Sequence, residues 1–160
     1  MDRPFVLNLA EAPAYTHSRR ATLLDLEPEG VLWPDTGVNV QIMQPGQPNC
    51  RYHRETVQED FLVLHGECRL ILGDTERSLR EWDYVHCPAG TDHVFIGAGE
   101  GPCAVLMIGA RRDEEVHYPV SQLAMKYDAS VREPTNEPEE AYADWRQAPW
   151  VQAENPWPLA

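Results

Sequence analysis

Short apolar blocks, separated by turn-forming residues, fill the middle of the chain. In GVNVQIMQ, Val38, Val40 and Ile42 alternate with Asn39 and Gln41, the period of a half-buried strand. PGQPNC interrupts the pattern, and DFLVLHG, CRLILGD, YVHCPAG, HVFIGAGEG and CAVLMIGAR follow. Breakers recur between these blocks at Pro45-Gly46, Gly73-Asp74, Pro88-Ala89-Gly90 and Gly97 to Gly101. Strands so closely spaced, with no amphipathic helix between them, predict an all-β fold, an antiparallel β-barrel or sandwich. In FLVL, Phe61 and Val63 share one face and Leu62 and Leu64 the other. One face fills the barrel. The other needs a second sheet, a terminal segment or a second copy of the chain against it, which makes a homodimer the expected assembly.

Helix signals lie near the ends. Ser121 can cap QLAMKYD, and Thr135, ahead of Glu137 and Glu139, can start a turn through EEAYAD. The tail WRQAPWVQAENPWPLA mixes Trp145, Trp150 and Trp157 with prolines. It cannot stay regular for long, and its indoles need a surface to pack on. The expected organisation is an N-terminal arm over residues 1–37 packing on the barrel and a barrel core over 38–112. A C-terminal extension over 113–160 carries a short helix and the Trp- and Pro-rich tail.

Charge narrows the partners. The 160 residues include 13 Lys and Arg against 26 Asp and Glu, a formal net charge of −13. Such a surface repels phosphate backbones and anionic lipid, which argues against nucleic acid and membrane as partners. Cys50, Cys68, Cys87 and Cys103 form no Cys-x-x-Cys pair, and three of them sit in apolar, strand-like surroundings. They read as buried, reduced thiols of a cytoplasmic protein. The first residues, MDRPFVLNLAEAPAY, lack the apolar core of a signal peptide, and AVLMIGA is too short to span a bilayer. No glycine-rich phosphate loop, Ser-His-Asp motif or dinucleotide fingerprint is present.

The chemistry concentrates in YHRETVQED, residues 52–60, just ahead of FLVL. On an extended strand His53 and Glu55 project to the same side. A tight turn over 56–58 would return Glu59 beside them. Carboxylates so close would repel one another and take up protons unless a divalent cation neutralised them. A further ligand is available in CPAGTDHVF, where the Pro88 to Gly90 turn aims His93 at the start of a strand. Nitrogen and oxygen donors together suit iron, manganese, zinc, nickel or cobalt, without choosing among them. Elsewhere, His86 reads as a structural histidine and His65 as an exposed one. Tyr52 is out of phase with His53, while Gln41 and Arg51 are candidate anion contacts.

These residues resemble the cupins. The first cupin motif, Gly through His-x-His to Glu and Gly, is matched by Gly46, His53-Arg54-Glu55, Glu59 and Gly66. The second, Gly through Pro-x-Gly and His to Asn, is matched by Trp82, Pro88-Ala89-Gly90, His93 and Gly97. Glu55 stands where the second histidine is usual, one extra residue follows Gly46, Trp82 replaces the opening glycine, and Gly97 replaces the final asparagine. The resemblance covers roughly residues 38–110 and implies the cupin double-stranded β-helix, or jelly roll. It implies a mononuclear metal site of His53, Glu55, Glu59 and His93. A shifted register places Arg51 at the first histidine position and leaves His53, Glu59 and His93, a facial set of two histidines and one carboxylate. It also implies an enzyme acting on a small organic molecule by dioxygenation or isomerisation in a mostly apolar pocket. The other expectation is a cupin that binds a small molecule or metal without turnover.

Overall fold

The computed structural model describes residues 4–27, 29–112 and 114–159. The strands, in chain order, are β1 (Ala14–His17), β2 (Arg20–Asp25), β3 (Thr36–Met43), β4 (Arg54–Glu55), β5 (Glu59–His65) and β6 (Glu67–Leu72). They continue with β7 (Thr75–Arg80), β8 (Tyr84–Cys87), β9 (His93–Ala98), β10 (Cys103–Ala110), β11 (Val116–His117) and β12 (Val151–Ala153). Two single-turn helices, α1 (Gln122–Met125) and α2 (Pro138–Ala141), follow β11. A seven-stranded sheet, in the order β12-β1-β2-β3-β10-β5-β8, faces the three-stranded sheet β7-β6-β9, and β4 pairs with β11. The named pairings are antiparallel, as the close strand spacing predicts. No helix among the described residues is long and apolar enough to cross a membrane.

Side-chain alternation divides each sheet into an inner and an outer face. Met43, Phe61, Val63, Leu70, Phe95, Val105 and the thiols of Cys68, Cys87 and Cys103 pack inside. All four cysteines are free and buried. The outside of the small sheet, with Ile71, Val94 and Ile96, is covered by Cys50, Tyr52 and the segment around α1. The outside of the large sheet is covered by the chain's two ends. Leu24, Val40, Ile42 and Ala104 pack there with Leu7, Leu9, Leu64, Leu106, Trp157 and Leu159. Leu64, on the second apolar face of FLVL, thus finds its cover within the chain, and that face does not by itself require a partner subunit.

In β3 the alternation is the expected one, and the structure assigns its faces: Val40 and Ile42 face the terminal segments, whereas Asn39 and Gln41 line the interior cavity. The assignment follows from the arm: β1 and β2 extend the large sheet, and the terminal segments give its outer face an apolar cover.

The ends use the signals the sequence carries. The Ser121 hydroxyl accepts from Ala124 N at 3.2 Å and caps α1. Ahead of α2, Thr135 Oγ1 accepts from Glu137 N at 3.1 Å and donates to Glu140 at 2.5 Å, so it tethers the turn from two residues before the cap position itself. Trp145 is buried, and its indole N–H donates to Asp128 at 3.1 Å. The tail then adds β12 to the edge of the large sheet, with Ala153 opposite Ala14.

Candidate metal centre

The two histidines are placed by one backbone bridge. His53 N donates to His93 O at 3.1 Å and His93 N to His53 O at 2.8 Å, so the residues sit directly across from each other. Their ring centroids are 4.8 Å apart. Gly90, at φ +80°, makes the turn that sets the start of β9, and its N–H donates to Glu55 O at 2.7 Å. Glu59 opens β5 between Cys87 of β8 and Gly109 of β10, and Glu55 lies in β4 opposite Val116. Thr56 and Val57 bend the chain between the two acids, as the sequence predicts.

Hydrogen bonds on the far side of each ring fix what faces the centre. Nδ1 of His53 donates to Arg51 O at 2.8 Å, and Nδ1 of His93 donates to Thr91 O at 3.0 Å. Each Nε2 is therefore the nitrogen left free to coordinate, which is how ligating histidines are usually oriented. Nε2 of His93 lies 3.3 Å from Glu59 Oε2, and Nε2 of His53 lies 3.6 Å from Glu55 Oε1. Ligand atoms of His53, Glu59 and His93 all lie within 4.8 Å of one another and could hold one metal ion. Glu55 borders this group through His53 and is not part of the tightest set. A lone pair turned towards a buried carboxylate is repelled unless a proton or a cation lies between them, so these donors fit a divalent metal.

The same groups compete for protons. Burial pushes the Glu59 carboxyl up to about 7, and Glu55 and Glu114 push it the same way against the pull of His53. Burial, then the charge of His53, depresses His93 to about 3. Burial also opposes a charge on His53, but Cys50, Glu55 and Glu59 outweigh it and hold its proton well above the usual imidazole range. Protons therefore collect at the point where a cation would sit.

The centre opens into a cavity of about 360 Å³. Phe61, Met107 and Ile108 supply apolar wall, but Arg20, Asn39, Gln41, Arg111, Glu114 and Tyr118 line it too. The expected mostly apolar pocket is thus corrected to a polar one. Its acceptor Asn39 Oδ1 is buried without a hydrogen-bond partner among the described residues, a state that costs about 1–3 kcal/mol.

Of the weaker sequence candidates, Gln41 lines the cavity and Arg51 does not. The Arg51 guanidinium turns to the C-terminal extension, donating to Ala141 O, Asp128 O, Ser130 O and Asp144. Tyr52 is buried on the opposite side, its hydroxyl donating to Gly73 O at 3.1 Å. His86 bonds Asp60 at 2.6 Å in an exposed position, and His65 pairs with Glu81 at 3.2 Å. Arg20, Glu114 and Tyr118 escaped the sequence reading because they lie outside the barrel motifs and reach the cavity only through the folded ends. Asn39 carried a signal, a carboxamide alternating with valines, that reads correctly once the outer face has a cover.

Two facing antiparallel sheets closed around an imidazole and carboxylate cluster define a barrel of the double-stranded β-helix class with a candidate metal site. The Cupin domain family matches residues 39–109, and these residues form a cupin domain of the cupin-2 type. Among solved structures, one similar to this chain is a sugar phosphate isomerase of the cupin superfamily from Silicibacter pomeroyi. It has 27% identity and a TM-score of 0.54 over 60% of this chain and 63% of that one, less than two thirds of the isomerase's length. An uncharacterised conserved protein with a double-stranded β-helix domain from Klebsiella pneumoniae has 17% identity and a TM-score of 0.60 over 71% of this chain and 96% of that one. A polyketide cyclase from Streptomyces resistomycificus has 14% identity and a TM-score of 0.60 over 69% of this chain and 81% of that one. The latter two share the fold alone. No curated protein matches the chain.

Proposed function

We propose that the barrel binds one divalent transition metal through His53, Glu59 and His93, with Glu55 as a fourth donor, and acts as an enzyme on a small organic molecule. The observation that carries this reading is the pair of backbone-anchored imidazoles whose Nε2 atoms meet buried carboxylates at 3.3 and 3.6 Å. When bound, the metal would act as a Lewis acid towards a substrate oxygen or support oxygenation. The chain's own groups do the rest. Arg51 O and Thr91 O hold the rings, Phe61 and Met107 limit water near the centre, and the polar wall orients the substrate. Between the reaction types implied by the cupin resemblance, the similarity to a sugar phosphate isomerase at 27% identity favours isomerisation of a hydroxylated carbonyl compound over dioxygenation. The fourth donor favours the rival reading, a non-catalytic binder, because each added protein ligand leaves less of the metal open to substrate.

Elemental analysis of untagged protein purified without chelator tests the metal. About one equivalent of a transition metal is expected. His53→Ala, His93→Ala and Glu59→Gln should lose it while remaining folded, since the core lies in other residues. Full metal content in all three variants would remove the site. Glu55→Gln separates enzyme from binder: unchanged metal affinity leaves three protein ligands and an open site, whereas loss of metal, or ligand exchange absent from the unsubstituted protein, makes Glu55 a ligand that closes it.

A further inference from the structure

Two arginines border the cavity, and their surroundings differ. Arg111 is neutralised: it pairs with Glu27 at 2.7 Å and donates to Trp33 O at 3.0 Å. Arg20 is held just as firmly but without an acid. Its Nε–H donates to Asn49 O at 2.9 Å, and its own carbonyl accepts from Gln47 at 2.8 Å. Its guanidinium lies 5.2 Å from the centroid of the Tyr142 ring and 5.1 Å from that of Trp150. No carboxylate among the described residues pairs with it, in a chain of net charge −13.

Such a guanidinium, fixed by aromatic faces with its terminal N–H groups unspent, is a fork for carboxylate or phosphate oxygens. A second unsatisfied group lies in the same cavity. Asn39 Oδ1 is buried with no partner among the described residues, and Gln41 stands two residues along the same inward face. In the pairing of β2 with β3, Leu23 is opposite Gln41 and Asp25 opposite Asn39. Arg20 therefore lies beyond Gln41 from Asn39, and the polar wall runs from a carboxamide to a cation. The wall also carries an acid outside the candidate metal group, Glu114.

We propose that the cavity takes a small hydroxylated anion, its carboxylate or phosphate held by Arg20 and one of its hydroxyls donating to Asn39. This rests on the metal reading above to the extent that a divalent cation offsets Glu55 and Glu59.

The test is calorimetric titration of metal-loaded and metal-free protein with D-gluconate, ribose 5-phosphate and neutral sorbitol. At least one anion is expected to bind about tenfold or more tighter than sorbitol. Arg20→Gln should reduce that preference about tenfold, and Arg20→Lys, which keeps the charge but not the fork, should keep part of it. Asn39→Leu should weaken the bound anion while leaving metal content unchanged. Gluconate alone binding assigns a carboxylate, and ribose 5-phosphate alone a phosphate ester. Equal affinity for both anions and sorbitol, or an undiminished preference in folded Arg20→Gln, overturns the proposal. Because the titration is also run without metal, an Arg20-dependent preference in protein that fails to load metal would sink the metal reading and leave this one standing.

Discussion

At Glu59, burial and charge oppose each other in a way that pH can read. Its carboxyl is raised to about 7 from an ordinary 4.5, and a metal must displace that proton, as well as any on His53, before it binds. Metal affinity should therefore rise with pH between 6 and 8, by about tenfold per pH unit for each proton displaced, and level off above the titration. Folding of the metal-free protein should run the other way. A raised carboxyl pKa stabilises the fold fully below 4.5, and that stabilisation is lost as pH rises through about 7. The raised His53 adds a loss of the same sign. His93, lowered from 6.5 to about 3, stabilises fully above 6.5 and loses that contribution only as pH falls. From pH 6.5 to 8 the metal-free melting temperature should fall and the metal-loaded one should not. Chelator competition and thermal melts at three pH values check both, and pH-independent affinity would mean that these protons do not share the metal's place. The residue scale also explains one departure from the cupin pattern. Trp82 has φ 74°, the left-handed conformation in which a glycine is the ordinary choice, so this chain keeps the turn without the residue that makes it easy.

Among the elements, the segment leading into β4 has its back to the C-terminal extension. Arg51 O orients the His53 ring, Arg51 N donates to the Tyr142 hydroxyl at 3.1 Å, and its guanidinium stacks 4.1 Å from the Trp145 centroid. Three carbonyls and Asp144 accept from it, and the Asp128 carboxylate lies 3.7 Å away. The extension thus grips the peptide whose carbonyl fixes the His53 ring. Arg51→Met keeps the stem but leaves those acceptors unmatched, and should cost about 2–4 kcal/mol in urea unfolding. It should also weaken metal retention, because the His53 ring loses its anchor. A variant with normal metal affinity and reduced stability would confine the extension to a structural role. None of this was legible beforehand: Arg51 reads as a ligand-register or anion candidate in sequence, since its partners lie 77 to 93 residues away. His53, Glu59 and His93 were legible because barrel motifs fix spacing locally, through a turn or a bend followed by a strand.

For the whole molecule, the barrel depends on how closely the chain before His53 approaches β9. Gly46 N donates to Gly97 O at 2.8 Å, and Gly97 N donates to Gln47 O at 2.9 Å, so the 44–47 turn docks on the end of that strand. A Cβ at Gly97 would lie 2.1 Å from Gln44 O and 2.8 Å from its carbonyl carbon, backbone atoms that cannot rotate away. This is the physical content of the glycine that stands where the cupin motif has asparagine. The alternating strands and the breakers foretold the sheets, but the contact between them is set by which residues meet across the barrel, and no periodicity reports that. Gly97→Ala must push the docked turn from β9 and should destabilise the protein by about 2–3 kcal/mol or more. Gly90 is the control. A Cβ there meets nothing within 4 Å, but its φ is +80°, so Gly90→Ala should cost only the backbone strain, about 1–2 kcal/mol. Urea unfolding of the two variants side by side decides the matter. Should Gly97→Ala be the milder of the two, the 44–47 turn is not pressed against β9 as closely as these distances require, and the barrel's closure must be attributed to the side chains inside it instead.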